Sequence, residues 1–207
     1  ATDFKVTSNV TTLKSLFSGC SKLKNINFTD DSDFNNTTST EEMFMNCSSL
    51  NVVRFTISDK CTTSSRMFYN CPLSNMNGSY IGGALAEVVD FLPQVNFSAD
   101  DITVKTSLKI FKGSKVTSIR NITIDNSVKD ISSWFEGCVD LKVDMDIPLW
   151  VTNCSRAFKG CISITHVNKN WEKVYTSTIT PTECYTGCIN ITHIDNVDIG
   201  ANEYTSG

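Results

Sequence analysis

The chain's two imidazoles, His166 and His193, each follow a threonine and stand five residues after a cysteine, Cys161 and Cys188. Equal offsets from like neighbours predict that the two rings meet on adjacent strands, where they could bind a metal ion or respond to pH. No third ligand stands beside them, so two polar residues on a solvated sheet is the simpler reading. Asp140, Asp144 and Asp146 form a second cluster. Strand alternation over 143–147 puts Asp144 and Asp146 on one face, a pairing that suits acid–base work on a glycoside or the holding of a cation. Solvent exposure accounts for them more simply. Cys184 and Cys188 are the one close cysteine pair, without a second pair at zinc-finger spacing. There is no phosphate-cradling glycine loop, nucleophile elbow or His-Glu-x-x-His motif. These residues predict no catalysis, no metal and no cofactor.

Composition agrees. The 207 residues carry a net charge of −4, and only 19% are charged, while Ser, Thr and Asn make up about a third, a largely uncharged polar surface. An acidic balance without basic runs argues against nucleic acid and anionic membrane as partners. No stretch approaches the roughly 18 apolar residues that span a bilayer. The start at Ala1, without an initiator Met or leader pattern, reads as a processed product or an excerpt of something longer. Any homo-oligomer would form through that parent protein.

The cysteines then reveal the organisation. Phe17-Ser18-Gly19-Cys20, Phe44-Met45-Asn46-Cys47, Phe68-Tyr69-Asn70-Cys71, Phe135-Glu136-Gly137-Cys138, Phe158-Lys159-Gly160-Cys161 and Tyr185-Thr186-Gly187-Cys188 repeat one tetrapeptide, and Phe111-Lys112-Gly113-Ser114 is a seventh copy with Ser for Cys. A weaker eighth fits near Leu85–Leu92 with Val89 at the Cys place, giving steps between 18 and 27 residues. A period of 20–50 residues marks a solenoid or array, because no single unit can bury its own apolar face. The aromatic three before the Cys, an apolar residue four before it (Met43, Met67, Trp134) and Gly or Asn just before it predict a short helix ending in a left-handed residue. Apolar residues three and six after the Cys predict a short strand. The resulting α/β solenoid has about eight coils over 1–207, irregular near 78–109, and a core ladder of Phe17, Cys20, Phe44, Cys47, Phe68, Cys71, Phe111, Phe135, Cys138, Phe158, Cys161, Tyr185 and Cys188. Cys61, Cys154 and Cys184 fall at other inward positions, so all nine cysteines are expected mainly as buried, reduced thiols, with one or two bridges as the alternative.

The pattern closely resembles the BspA-like leucine-rich repeats, whose units read Met-Phe-x-x-Cys-x-x-Leu. The match runs from about Leu13 to Ile194 and is strongest at Glu42-Met43-Phe44-Met45-Asn46-Cys47-Ser48-Ser49-Leu50 and from Ile147 to Cys161. The resemblance implies a right-handed superhelix with parallel strands on its concave side. It also implies an extracellular adhesion or ligand-binding module on a cell surface or a virion, such as a phage tail fibre.

In that register the strand face carries Asn25, Asn27, Val52, Arg54, Asn75, Asn77, Ser118, Arg120, His166, Asn168, His193 and Asp195. This strip suits hydrogen bonding to a protein or to glycan hydroxyls on a host or partner surface, and the long loop Thr29–Thr40 is a second candidate contact. The expected function is non-catalytic recognition. A spacer or shaft in a surface appendage is the second reading. The third, a carbohydrate-cleaving β-helix enzyme, is opposed by the expected helices and the sparse carboxylates.

Overall fold

Strands of two to four residues cannot stand alone in water and form only where a counterpart lies one coil away. In the computed structural model, which describes residues 2–86, 88–142, 145–167 and 182–194, the chain winds through about seven turns of parallel β-solenoid. Its strands are β1 (Thr2–Phe4), β2 (Asn25–Phe28), β3 (Val52–Val53), β4 (Thr56–Ile57), β5 (Tyr80–Ile81), β6 (Phe97–Ser98), β7 (Thr103–Val104), β8 (Val116–Ser118), β9 (Thr123–Ile124), β10 (His166–Val167) and β11 (His193–Ile194). One face runs β1-β2-β3, continues through bridges Val52↔Asn75 and Asn75↔Ser98 to β6-β8, and has β10-β11 as a further pair. A second face runs β4-β5-β7-β9. The third side of each coil is the arc carrying the tetrapeptide.

That arc is not a helix, and no helix occurs among the described residues. The expected helix fails because the residue five before the Cys has positive φ: Ser15 (57°), Glu42 (57°), Arg66 (55°), Ser133 (58°), Arg156 (60°) and Glu183 (57°). A left-handed residue stops an α-helix from propagating. The backbone instead alternates its donors. The N–H groups of Met43, Met45 and Cys47 turn back to the carbonyls three residues earlier, while those of Glu42, Phe44 and Asn46 reach Ser65, Met67 and Tyr69 of the next coil at 2.9–3.0 Å. The arcs of Ser15–Cys20, Ser133–Cys138 and Arg156–Cys161 repeat the scheme. Spacing of i, i+3 and i+4 thus describes stacked turns as well as it describes a helix, which is why the periodicity misled.

Stacking aligns like side chains. Phe17, Phe44 and Phe68 stack at centroid distances of 5.5 and 5.6 Å, and Phe111, Phe135, Phe158 and Tyr185 at 5.1, 5.4 and 5.3 Å. Each such pair adds roughly 0.5–1.5 kcal/mol beyond area burial. The motif thiols form a second column. Cys47, Cys71, Cys138, Cys161 and Cys188 donate their S–H to the carbonyls of Phe17, Phe44, Phe111, Phe135 and Phe158, one coil earlier, at 2.8–3.1 Å. All nine cysteines are free thiols, and eight are buried. Burial pushes the Cys138 and Cys161 thiols up from their ordinary value, keeping them protonated as donors. Cys20 is the correction: it is exposed, and Phe17 is only partly buried, because no arc among the described residues lies on their other side.

The coil expected to be irregular keeps its strands β5, β6 and β7 in the ladders. Its register differs from the expected one. Arg66 N–H reaches Val89 O at 2.7 Å, and Asp90 has φ of 51°, so Val89 stands six before the Cys place, which falls at Val95. The adjoining steps are then 24 and 19 residues, and Leu92 holds the aromatic position between Phe68 and Phe111. A cavity of about 330 Å³ opens there, lined by Phe91, Leu92, Pro93, Lys109 and Ile110 among others.

Two expected outcomes follow from this packing. A Cβ on Gly82 would lie 2.3 Å from Ser58 O and 2.7 Å from Ile57 O, so Gly82→Ala should cost about 3 kcal/mol or more in urea unfolding. At Gly137 (φ 77°), where a Cβ would meet only Gly113 Cα at an ordinary 3.8 Å, Ala should cost only about 1 kcal/mol and Asn less, as Asn46 and Asn70 already hold that place. Secondly, a thiol reagent should modify Cys20 rapidly in the folded protein and the buried eight only after denaturation. Rapid native labelling of several thiols would contradict the column.

Candidate functional site

Alternation along β2 and β3 turns Ile26 and Val53 into the core and leaves Asn25, Asn27 and Val52 outside. Parallel register then carries Asn25 onto Val52, Val52 onto Asn75, Asn75 onto Ser98 and Ser98 onto Ser118, one row across five coils. Ser98 is the member that sequence reasoning missed, because the Val89 alignment put its coil out of step.

A second row lies two residues further on: Asn27, Arg54, Asn77, Asp100 and Arg120. Asp100 was also missed. Its Oδ1 accepts from Ser118 Oγ at 2.6 Å and Arg120 N at 2.8 Å, while Asn77 Oδ1 accepts from Ser98 Oγ at 3.1 Å and Asp100 N at 2.8 Å. Asn75 Oδ1 accepts the Asn77 N–H at 2.8 Å. Asn77 and Asp100 thus bind the turn of one coil to the next while Asn75 braces the turn of its own, and Asn75, Asn77 and Ser118 are half-buried. The side chains offered to solvent are Asn25, Asn27, Val52, Arg54, Arg120 and His193. Arg54 Nε donates to Gly78 O at 3.0 Å, and Asn27 Nδ2 to Asp3 Oδ1 at 3.0 Å, so both are held in place while exposed.

His166 and His193 meet as expected. They are register partners on β10 and β11, with rings stacked at 4.7 Å and 26°. No group of three or more His, Cys, Asp or Glu able to hold a metal occurs among the described residues. Asn168, Asp195 and Trp171 lie outside the described residues, as does Asp144, and with it the Asp144–Asp146 pairing. Asp140 instead lies 3.6 Å from Lys115 Nζ. Trp134 is fully buried, and Trp150, 39% exposed, donates Nε1–H to Asp125 O at 3.2 Å.

The row and the long loop converge on one groove. Asn27 and Arg54 share a cavity of about 490 Å³ with Thr29–Asp30 and Ser32–Asn35 of the loop and with Asp59 and Tyr80. The loop is fastened from below: Thr29 and Asp33 donate their N–H to Phe4 O and Val6 O, and Lys5 pairs with Asp31. On the facing wall, Asp59 Oδ1 accepts from Tyr80 Oη at 2.8 Å and Gly83 N at 3.2 Å, and its Oδ2 accepts from Lys105 Nζ at 3.0 Å. Partial burial raises the Asp59 pKa, but the bonds from Lys105 and Tyr80 outweigh it, and the carboxyl ends below its ordinary value. Burial first of all raises the Tyr80 phenol. The groove therefore presents fixed acceptors and donors rather than mobile charges.

Two crystal structures are similar to the chain: a leucine-rich cell surface protein from Faecalibacterium prausnitzii and a leucine-rich repeat protein from Bacteroides ovatus. Each is 14% identical, over 93% of this chain and 78% and 68% of theirs, with TM-scores of 0.28 and 0.29. Curated proteins give no match. The family model for the BspA type leucine rich repeat region matches residues 1–81 and 102–200 in six copies, leaving out the coil whose aromatic is replaced by Leu92. Matched over most of its length, the chain belongs to the BspA-type leucine-rich repeat family.

Proposed function

We propose that this solenoid is a non-catalytic, extracellular recognition module of a cell or virion surface, holding a protein or glycan on a partner surface through its exposed strand face and the adjoining loop. The row Asn25–Val52–Asn75–Ser98–Ser118, flanked by Arg54 and Arg120, carries the reading. It sets uncharged hydrogen-bonding groups and guanidinium ends at the spacing of adjacent strands, roughly 4.8 Å, on a rigid support. Such a surface recognises by many small contacts. The acidic chain disfavours nucleic acid as the partner. A spacer role is the second reading, favoured by Asn77 and Asp100, whose carbonyl and carboxylate oxygens already serve the coil itself.

Val52→Glu and Arg120→Ala test the reading, since both residues are exposed and each change should move stability by no more than about 0.5 kcal/mol. Against whole cells and arrayed secreted proteins and glycans, the native chain should bind, and the double variant should lose about tenfold in affinity. Binding that ignores both substitutions would take the contact off this strand row, and no binding to any surface would assign the segment to the spacer role.

A further inference from the structure

The groove under the long loop differs from the rest of the strand face in being concave and walled. Its volume of about 490 Å³ falls within the 300–1,000 Å³ of small-ligand sites. Such sites are mostly apolar, whereas this one is lined chiefly by amide, hydroxyl, carboxylate and guanidinium groups. Its ligand must therefore be dense in hydrogen-bonding groups.

The charges narrow the class. Asp59, already bonded by Tyr80, Gly83 and Lys105, is a neutralised acceptor and not a bare anion. Asp33 is likewise turned inward in part, its Oδ1 accepting the Asn35 N–H at 2.8 Å. A free cation or basic peptide thus finds less uncompensated negative charge than the three aspartates suggest, with Arg54 standing among them. An anionic ligand meets Asp30 and Asp33 among the lining residues. What remains is a neutral molecule whose adjacent hydroxyls donate to carboxylate oxygens and accept from amide and guanidinium N–H groups. Tyr80, whose phenol is anchored by Asp59, and Phe28, Phe34 and Phe55 also line the groove and supply apolar surface for C–H groups beside that polar network.

We propose that this groove is a binding subsite for a neutral saccharide of one or two rings, with Arg54, Asp33 and Asn27 as its polar contacts and the Asp59–Tyr80–Lys105 cluster as the wall that shapes it. The proposal rests on the recognition reading and names the ligand class of part of that surface.

The test uses the whole 207-residue chain. Neutral mono- and disaccharides (hexose, N-acetylhexosamine and mixed pairs), an anionic uronic-acid disaccharide and a Lys/Arg-rich hexapeptide are screened by saturation-transfer NMR and titrated by calorimetry. At least one neutral sugar should bind, with affinity falling about tenfold in Arg54→Ala and in Asp33→Asn and unchanged in Ile189→Ala, a change at an exposed residue outside the groove and the strand row. Asp33→Asn retains an acceptor for the Asn35 N–H, so the loop keeps its turn, and unchanged thermal midpoints show that both variants fold. Binding of the anionic sugar or the peptide in preference to every neutral sugar overturns the proposal, as does no sugar binding at all. Cell-surface binding that survives Arg54→Ala and Asp33→Asn but fails with Arg120→Ala overturns the groove alone. Sugar binding in the groove without any cell-surface binding that depends on Val52 or Arg120 leaves the groove standing and removes the broader strand face.

Discussion

The stack of coils depends on the arc's division of its backbone donors, half closing turns within the coil and half passed to the next coil. In the arcs that end at Cys20, Cys47, Cys138 and Cys161, the residues five, three and one before the Cys point their N–H groups along the axis, and the residues between them close tight turns. A buried N–H without an acceptor costs about 1–3 kcal/mol, so an arc lacking its neighbour would leave three donors or three acceptors stranded. Register between coils is therefore set by hydrogen bonds as well as by apolar packing. The left-handed residue that permits this alternation recurs five before the Cys in six arcs.

The chemistry of the motif follows from that geometry. The phenylalanine carbonyl accepts its own coil's Cys N–H and the next coil's Cys S–H, which uses both lone pairs. A thiol suits the place because it is small, apolar enough for the core and able to donate once. Ser114 takes the position without breaking the column, its hydroxyl 3.6 Å from Cys138 Sγ. The Gly or Asn before the Cys supplies the second left-handed residue, and the aromatic rings fill the space between consecutive arcs. Where Leu92 and Pro93 interrupt the series, the ring column breaks and a cavity opens, yet the strands on the other two faces carry the ladder across.

Much of this was legible in the residues. The tetrapeptide announced stacked units, the Gly/Asn position announced a positive φ, and the offset of His166 and His193 announced their pairing. The helix was a misreading with a physical cause: Ser15, Glu42, Arg66, Ser133, Arg156 and Glu183 share no side-chain property that betrays a left-handed backbone. The weak coil was placed six residues early because Val89 resembles a core residue, although it is 58% exposed. That slip hid Ser98 and Asp100 from the strand face. Asn75 and Asn77 looked like surface groups, and only coordinates show their amide oxygens holding the turn. The groove was invisible for the same reason: Asp59, Tyr80 and Lys105 are far apart in sequence and meet only through the stacking of β4 and β5 and their neighbours.

The strand face and the groove inherit their rigidity from the arcs behind them, so the recognition reading stands on the same hydrogen bonds. The most direct measurement is the through-hydrogen-bond NMR coupling between amide nitrogen and acceptor carbonyl carbon. The account predicts a coupling from the Phe44 nitrogen to the Met67 carbonyl, and likewise from Phe135 to Ala157 and from Phe158 to Cys184. Couplings from these amides to the carbonyls four residues earlier in their own coils would show helical arcs and contradict it.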